Sequence, residues 1–478
     1  MRLTSTILLL LALRAPLYPA ERWVKVSVPH FELYTQMDRE QAMQALQVFE
    51  QARSFFLAAG FAQVLPGDTV RILDLASDRD YTSYLVKPGA YAMYQRGRRG
   101  DYIVMRSLTP GHYEVAVHEY THYVLEHEGL KLPIWLNEGL AELYSTLEPR
   151  GEQCLIGQPR AGRLIVLATR RPIGLETLFA VDQSSPYYND PDKMSIFYAE
   201  SWALTHMLAV SDEYSKRFHS FLSMVSSGRD VREVIRTVYG KELPSVEEDL
   251  QTYLRRGNLP ALLFNIHESR TSKEATIAGL EKSELELAVA DLLSSNARAG
   301  PEAAAKVREL AGAHPQEAGF DEVLGYLALR ENRTDEARTH FDDAVNHLSS
   351  DPVAIYNSAR LQQAAGAAPS EVIPKLQRVL ALNPDYEPAR IDLGFTAVKA
   401  KQFELAISAF SRLKSIDPKV AFEVYYSMAY SALELRQSEE ARTALEAAQQ
   451  YARTTEQQKQ AGNLERFIDR QNFASLAR

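Results

Sequence analysis
Apolar and polar positions change their rhythm three times along the chain. Residues 22–36 alternate apolar with polar, which predicts strands, and Val70-Arg71-Ile72-Leu73 predicts another. Between them, 39–59 carries helical periodicity, opened by Asp38 as N-cap and closed at Gly60. Aromatic, β-rich runs within 89–106, broken around Gly97 and Gly100, predict a hairpin. From Tyr113 onward the pattern is almost wholly helical: 114–127, stopped by Gly129, then 134–147, 196–210, 214–226, 229–238 and 246–255. Strands first and helices second predict an α+β unit over 21–256, a small mixed sheet followed by a helical part.

Beyond a junction at 257–283 the rhythm becomes a repeat. A small residue, an apolar residue four on, and another three further recur as Ala303-Val307-Leu310, Ala337-Phe341-Ala344, Val372-Leu376-Val379, Ala406-Phe410-Leu413 and Ala441-Leu445-Ala448. The five anchors are 34 or 35 residues apart. Leu324-Gly325 and Leu393-Gly394 keep register with them, and Pro315, Pro384 and Pro418 close repeats. This resembles the tetratricopeptide repeat, a helix–turn–helix unit that buries its apolar stripe only against the next unit. The expectation is an all-α solenoid of about five repeats over 284–455, with 456–478 as a capping helix. The stretch 353–386 lacks the Gly and the aromatic residue and is expected to be irregular.

Composition narrows the functional classes. The net charge of −9 disfavours a dedicated nucleic-acid binder. Cys154 is the one cysteine, so an internal disulfide and a Cys-rich zinc module are both excluded. Arg2 followed by the apolar run Ile7–Leu13 fits a secretory signal peptide over 1–20 and predicts export, with membrane tethering if it is not cleaved. No later segment is apolar enough to span a bilayer.

The chemistry sits at His118-Glu119-Tyr120-Thr121-His122. Helical residues i and i+4 share a face, so His118 and His122 can reach one metal ion. Sixteen residues after His122, in Ile134-Trp135-Leu136-Asn137-Glu138-Gly139-Leu140-Ala141-Glu142, Glu138 rides on a helix reached by a short connection. It is expected to be the third ligand. Two imidazoles and a carboxylate leave one tetrahedral position open, the arrangement of a catalytic zinc. Glu142, one turn further, faces the same way and is expected to fix the tautomer of His118.

These two segments together resemble the gluzincin zinc metallopeptidases, and in particular aminopeptidase-type members. The likeness is strong over 113–145 and loose over 23–256. It implies one Zn2+ held by His118, His122 and Glu138, with Glu119 as general base. The metzincin alternative fails, because Leu125 and Glu128 stand where Gly and His would be needed; His127, one position off, is expected at the surface. The resemblance also implies an edge strand at Gly89–Tyr94, with Ala90, Tyr91 and Ala92 pairing with extended peptide. It further implies a tyrosine that donates to the oxyanion. Tyr198 is the candidate, with Tyr187, Tyr188 and His206 in competition. Endopeptidase and aminopeptidase action both stay open, with a lean to the former because no acidic clamp for a substrate amine stands beside the Gly-Ala-Tyr-Ala-Met segment. The repeats imply a protein partner. Two other readings are a non-catalytic zinc-containing scaffold and a zinc hydrolase of a non-peptide substrate.

Overall fold
The computed structural model describes residues 23–61, 69–75, 81–82, 91–266, 275–296 and 300–476, with side chains to 470. The expected signal peptide and Ala90 lie outside these residues. The chain divides into two compact units, 1–296 and 297–478.

The first unit opens with β1 (Val24–Val28) and β2 (Phe31–Thr35), then α1 (Arg39–Ala58), β3 (Val70–Asp74), β4 (Ala92–Arg96) and β5 (Asp101–Met105). Asp38 caps α1 by accepting from the Gln41 amide. Helices α2 (Tyr113–His127) and α3 (Ile134–Tyr144) follow. After β6 (Glu148–Arg150) and β7 (Gln153–Ile156) come α4 (Ala161–Thr169), α5 (Leu175–Phe179), α6 (Pro186–Asn189), α7 (Pro191–Val210), α8 (Phe218–Ser226), α9 (Val231–Tyr239) and α10 (Leu243–Arg255). The unit closes with β8 (Leu262–Asn265), β9 (Thr276–Gly279) and α11 (Lys282–Ser295).

The main sheet is mixed, in the order β4-β5-β3-β2-β1-β9. Strand β3 runs parallel to β2 and β5, and the remaining pairs are antiparallel. Phe31, Phe49, Phe55, Phe56 and Tyr120 form an aromatic cluster where α1 and α2 pack on this sheet. A second cluster around Trp135, Phe197 and Trp202 holds the later helices together.

Two expectations are corrected here. The region after Tyr113, expected to be almost wholly helical, also carries β6, β7 and β8, which form a separate three-stranded antiparallel sheet. The segment 257–283 is not a plain junction, and the repeats do not begin at 284. Strand β9 completes the main sheet beside β1, and α11 belongs to the first unit. Asp291 on α11 accepts from the Tyr102 hydroxyl and from the Arg98 and Arg99 amides, which pins the β4–β5 hairpin. The stretch Arg98-Arg99 is therefore fastened by its backbone.

The second unit is a series of helix pairs. Its helices are α12 (Pro301–Ala313), α13 (Ala318–Arg330), α14 (Thr334–Asn346), α15 (Pro352–Ala364), α16 (Pro369–Leu382), α17 (Glu387–Lys399), α18 (Phe403–Phe410), α19 (Ala421–Glu434), α20 (Ser438–Tyr451) and α21 (Thr455–Leu476). All five anchors are buried. A Cβ on Gly325 would lie 2.7 Å from the Phe341 ring, and one on Gly394 would clash with the edge of the Phe410 ring, so each glycine makes room for an aromatic residue. The repeat at 353–386 is regular after all. Buried Ala359 shares a cluster with Leu376, and Ala429 shares one with Leu445. A methyl added on one helix is offset by a smaller side chain on the other. Ala461, Leu464 and Ile468 of α21 cover the last pair, as expected of a cap.

Candidate metal centre
Helices α2 and α3 are joined by a turn at Gly129, whose φ of +67° lies in the left-handed region. They pack together and bring His118, His122 and Glu138 to one point. His118 Nε2 and His122 Nε2 are 3.1 Å apart, and Glu138 Oε2 is 3.3 Å and 3.5 Å from them. Ligands at about 2.0–2.1 Å from a tetrahedral zinc are separated by about 3.4 Å. Glu138 Oε2 is buried with no hydrogen-bond partner among the described residues. A buried carboxylate oxygen left bare, facing two ring nitrogens at tetrahedral spacing, fits a cation.

The surroundings orient these atoms. Asn137 Oδ1 lies 2.6 Å from His122 Nδ1, so in the neutral ring that nitrogen carries the proton and Nε2 is the one left to meet a cation. The Tyr188 hydroxyl on α6 donates to Glu138 Oε1 at 3.0 Å, leaving only Oε2 for the centre. Burial opposes charge on His122, but Glu138 and, with it, Glu119 and Asn137 outweigh this and raise its pKa to about 9. Burial also opposes charge on Glu138, yet the two imidazoles hold its carboxyl far below the usual range. The site thus favours a positive charge at its centre.

Gly139 explains how Glu138 is placed. A Cβ there would stand 2.1 Å from Thr205 Oγ1 and 2.5 Å from the Ser201 carbonyl, so only glycine lets α3 and α7 approach this closely.

The role expected of Glu142 needs correction. It stands beside His118, but at 3.6 Å from Nδ1 it makes no hydrogen bond. Its carboxylate is gripped by Arg163 through Nε at 2.9 Å and Nη2 at 2.6 Å, and by Arg160 at 2.9 Å. Burial works against its ionisation, but Arg163, His118 and Arg160 hold its pKa below the ordinary value.

Glu119 accepts at Oε2 from the Tyr94 amide, at 2.7 Å. Strand β4 is an edge of the sheet. Bonds from Arg106 to the Tyr91 carbonyl and from Gly97 to Gly100 show that odd-numbered residues of β4 face β5. The backbone of Ala92 and Tyr94 faces the other way. Tyr91 is accordingly corrected as a pairing residue: its carbonyl is taken, and its hydroxyl meets the Ser107 carbonyl and His112.

Tyr198 on α7 is half-buried. Its pKa stands well above the usual value, through burial first and then Glu138, Tyr188, Glu119 and Glu142, so it stays a neutral donor. Its ring lies under the Arg163 guanidinium at 5.4 Å. Of its competitors, His206 is buried between the Tyr253 hydroxyl and the Gly157 carbonyl, and Tyr187 lies under Lys193. His127 is not at the surface: it bonds Asp101 Oδ2 at 3.0 Å and packs on Tyr123. Sequence reasoning missed Asn137, Arg160, Arg163 and the Tyr94 amide, and it named Tyr188 only as a rival oxyanion donor, not as the partner of Glu138. Only Asn137 had a signal there, its place beside Glu138 in the quoted segment.

Known proteins are similar to this chain through its repeats. The tetratricopeptide repeat family model matches residues 422–455. The crystal structure of YrrB, described as a TPR protein with an unusual peptide-binding site, is 19% identical over 38% of this chain and 90% of its own, at a TM-score of 0.31. MamA is 19% identical over 36% of this chain and 96% of its own, at 0.26. MamA 41-end from Desulfovibrio magneticus RS-1 is 19% identical over 33% and 89%, at 0.28. No curated protein matches, and no peptidase family model does. The chain is thus shown to carry the tetratricopeptide repeat, a module that implies protein partners.

Proposed function
We propose that the protein is exported, that its first unit is a zinc-dependent peptidase, and that the repeats of its second unit recruit a protein partner. The bare Glu138 Oε2 facing His118 Nε2 and His122 Nε2 carries this reading. His118, His122 and Glu138 would hold the zinc, which supplies Lewis acidity when bound. Glu119 keeps one oxygen on the Tyr94 amide, and the other, without a partner among the described residues, takes a proton from the attacking water. The same carboxyl returns the proton to the leaving amine. The neutral Tyr198 hydroxyl, with no hydrogen bond among the described residues, donates to the developing oxyanion. Extended peptide pairs with the outward backbone groups of Ala92 and with the Tyr94 carbonyl. The lean towards endopeptidase action carries over from the sequence.

The test is cleavage of a mixed peptide library, read by mass spectrometry. Wild type and Glu119→Gln are compared after both are found folded and zinc-loaded. Cleavage by the first and not the second supports the reading, and the cut positions separate endopeptidase from aminopeptidase. A second reading, a zinc-containing scaffold without catalysis, is favoured by the family match, which lies in the repeats. Equal inertness of both proteins would decide for it, and hydrolysis confined to non-peptide esters or amides would point to a different hydrolase.

A further inference from the structure
We propose that a pocket beside the metal ligands takes a carboxylate of the peptide, either an acidic side chain or a free C-terminus. This rests on the peptidase reading for what the ligand is, and on the pocket's own donors for its charge. The pocket is about 470 Å³ in volume and is lined by Glu114, Thr146, Gln158, Arg160, Arg163 and the residues 161–162. Its lining leads to the centre by two routes. Glu114 stands one turn before His118 on the same face of α2. Arg160 and Arg163 both hold Glu142, which lies against the His118 ring.

Arginine has five N–H donors in a fixed fork that fits a carboxylate. Arg163 gives Nε and Nη2 to Glu142, and its Nη1 has no partner among the described residues. Arg160 gives Nη1 to Glu142 and Ser145, and Nη2 to Glu114 at 2.8 Å. Two guanidinium charges thus share the one buried carboxylate, and among the described residues the second is paired with Glu114, whose side chain is 61% exposed. A surface carboxylate already occupies Arg160 here, so the pocket displays the ligand chemistry it would accept. An incoming carboxylate displaces Glu114 and reaches Arg163 Nη1 as well. The first backbone bond of α4 runs from the Leu164 amide to the Arg160 carbonyl, so the amides at 161–163 add their partial positive charge at the same wall.

The test uses full-length, zinc-loaded Glu119→Gln protein, which holds peptide without turning it over. Calorimetry compares Ala-Ala-Glu-Ala amide with Ala-Ala-Gln-Ala amide, and free with amidated tetra-alanine. The acidic member of one pair is expected to bind at least about tenfold tighter, as a charge-assisted bond implies, and the pair that shows it identifies the source of the carboxylate. Adding Arg160→Gln should erase the preference. Because that change also loosens Glu142, Glu114→Ala is the independent arm: it should tighten the acidic peptide several-fold and leave its neutral partner unchanged. Equal binding within both pairs, no binding of any probe, or indifference to Glu114→Ala would overturn the proposal. Acid-selective binding by a protein that cleaves nothing would refute catalysis alone. Cleavage blind to acidic groups would refute the pocket alone.

Discussion
Replacing Gly139 by alanine tests whether the contact between α3 and α7 sets the metal site. The new Cβ would meet Thr205 Oγ1 at 2.1 Å and the Ser201 carbonyl at 2.5 Å, against ordinary contacts of 3.4–4 Å. The helices must part by about 1 Å to relieve this. Overpacking of this kind costs about 1–3 kcal/mol, and the better helix propensity of alanine returns up to ~1 kcal/mol. The expected net loss is about 2 kcal/mol in denaturant unfolding, with zinc affinity down at least tenfold because Glu138 moves with its neighbour. Thr205→Ala in the same chain removes the hydroxyl contact, and since Thr205 Oγ1 makes no hydrogen bond among the described residues, it does so at little cost of its own. The carbonyl contact remains, so the double variant should recover only part of the loss. A Gly139→Ala protein with unchanged stability and unchanged zinc affinity would refute the reasoning, as would complete rescue by Thr205→Ala.

Three further outcomes are expected. Asn137→Ala removes the acceptor at His122 Nδ1 and should weaken zinc binding about 10–100-fold by competition with a chromophoric chelator, with the unfolding midpoint of the metal-free protein moving little. The His122 pKa is raised to about 9, so its contribution to metal-free stability is full below the ordinary value of about 6.5 and is lost as pH rises towards 9. Zinc competes with that proton, so denaturant midpoints of metal-free protein should fall over this window while zinc affinity climbs. In the repeats, Gly394→Ala should cost about 1–3 kcal/mol against Phe410, and pairing it with Phe410→Leu should restore most of the loss in thermal unfolding, because that combination reproduces Ala359 with Leu376.

What was legible in the sequence follows from spacing along one element. His118 and His122 are one turn apart, and Glu138 and Glu142 are one turn apart on the next helix, so periodicity alone places them. The repeat anchors are visible for the same reason. Residues whose roles depend on long-range approach were not legible. Tyr188 reaches Glu138, and Arg160 and Arg163 reach Glu142, only because separate helices fold back on α3. The Tyr94 amide is invisible because a backbone donor leaves no mark on residue type. The left-handed turn residues Asn332, Lys401 and Arg436 recur in the repeats, but two of the three are residue types that do not advertise positive φ. Strands β6–β8 escaped because four or fewer residues are too short for alternation to register.

The pairing of β1 with β9 has a consequence for how the protein is made. Val24 leaves the ribosome well ahead of its partner Gly279, which follows only after every helix of the metal centre. Until then the Val24–Val28 edge is unpaired, and the β4–β5 hairpin that delivers the Tyr94 amide to Glu119 lacks its Asp291 fastening. The nascent chain therefore carries both histidines and their carboxylate well before it can finish the wall that positions the base. Any truncation that stops at residue 256 would be caught in that same half-built state, with an exposed strand edge open to self-association.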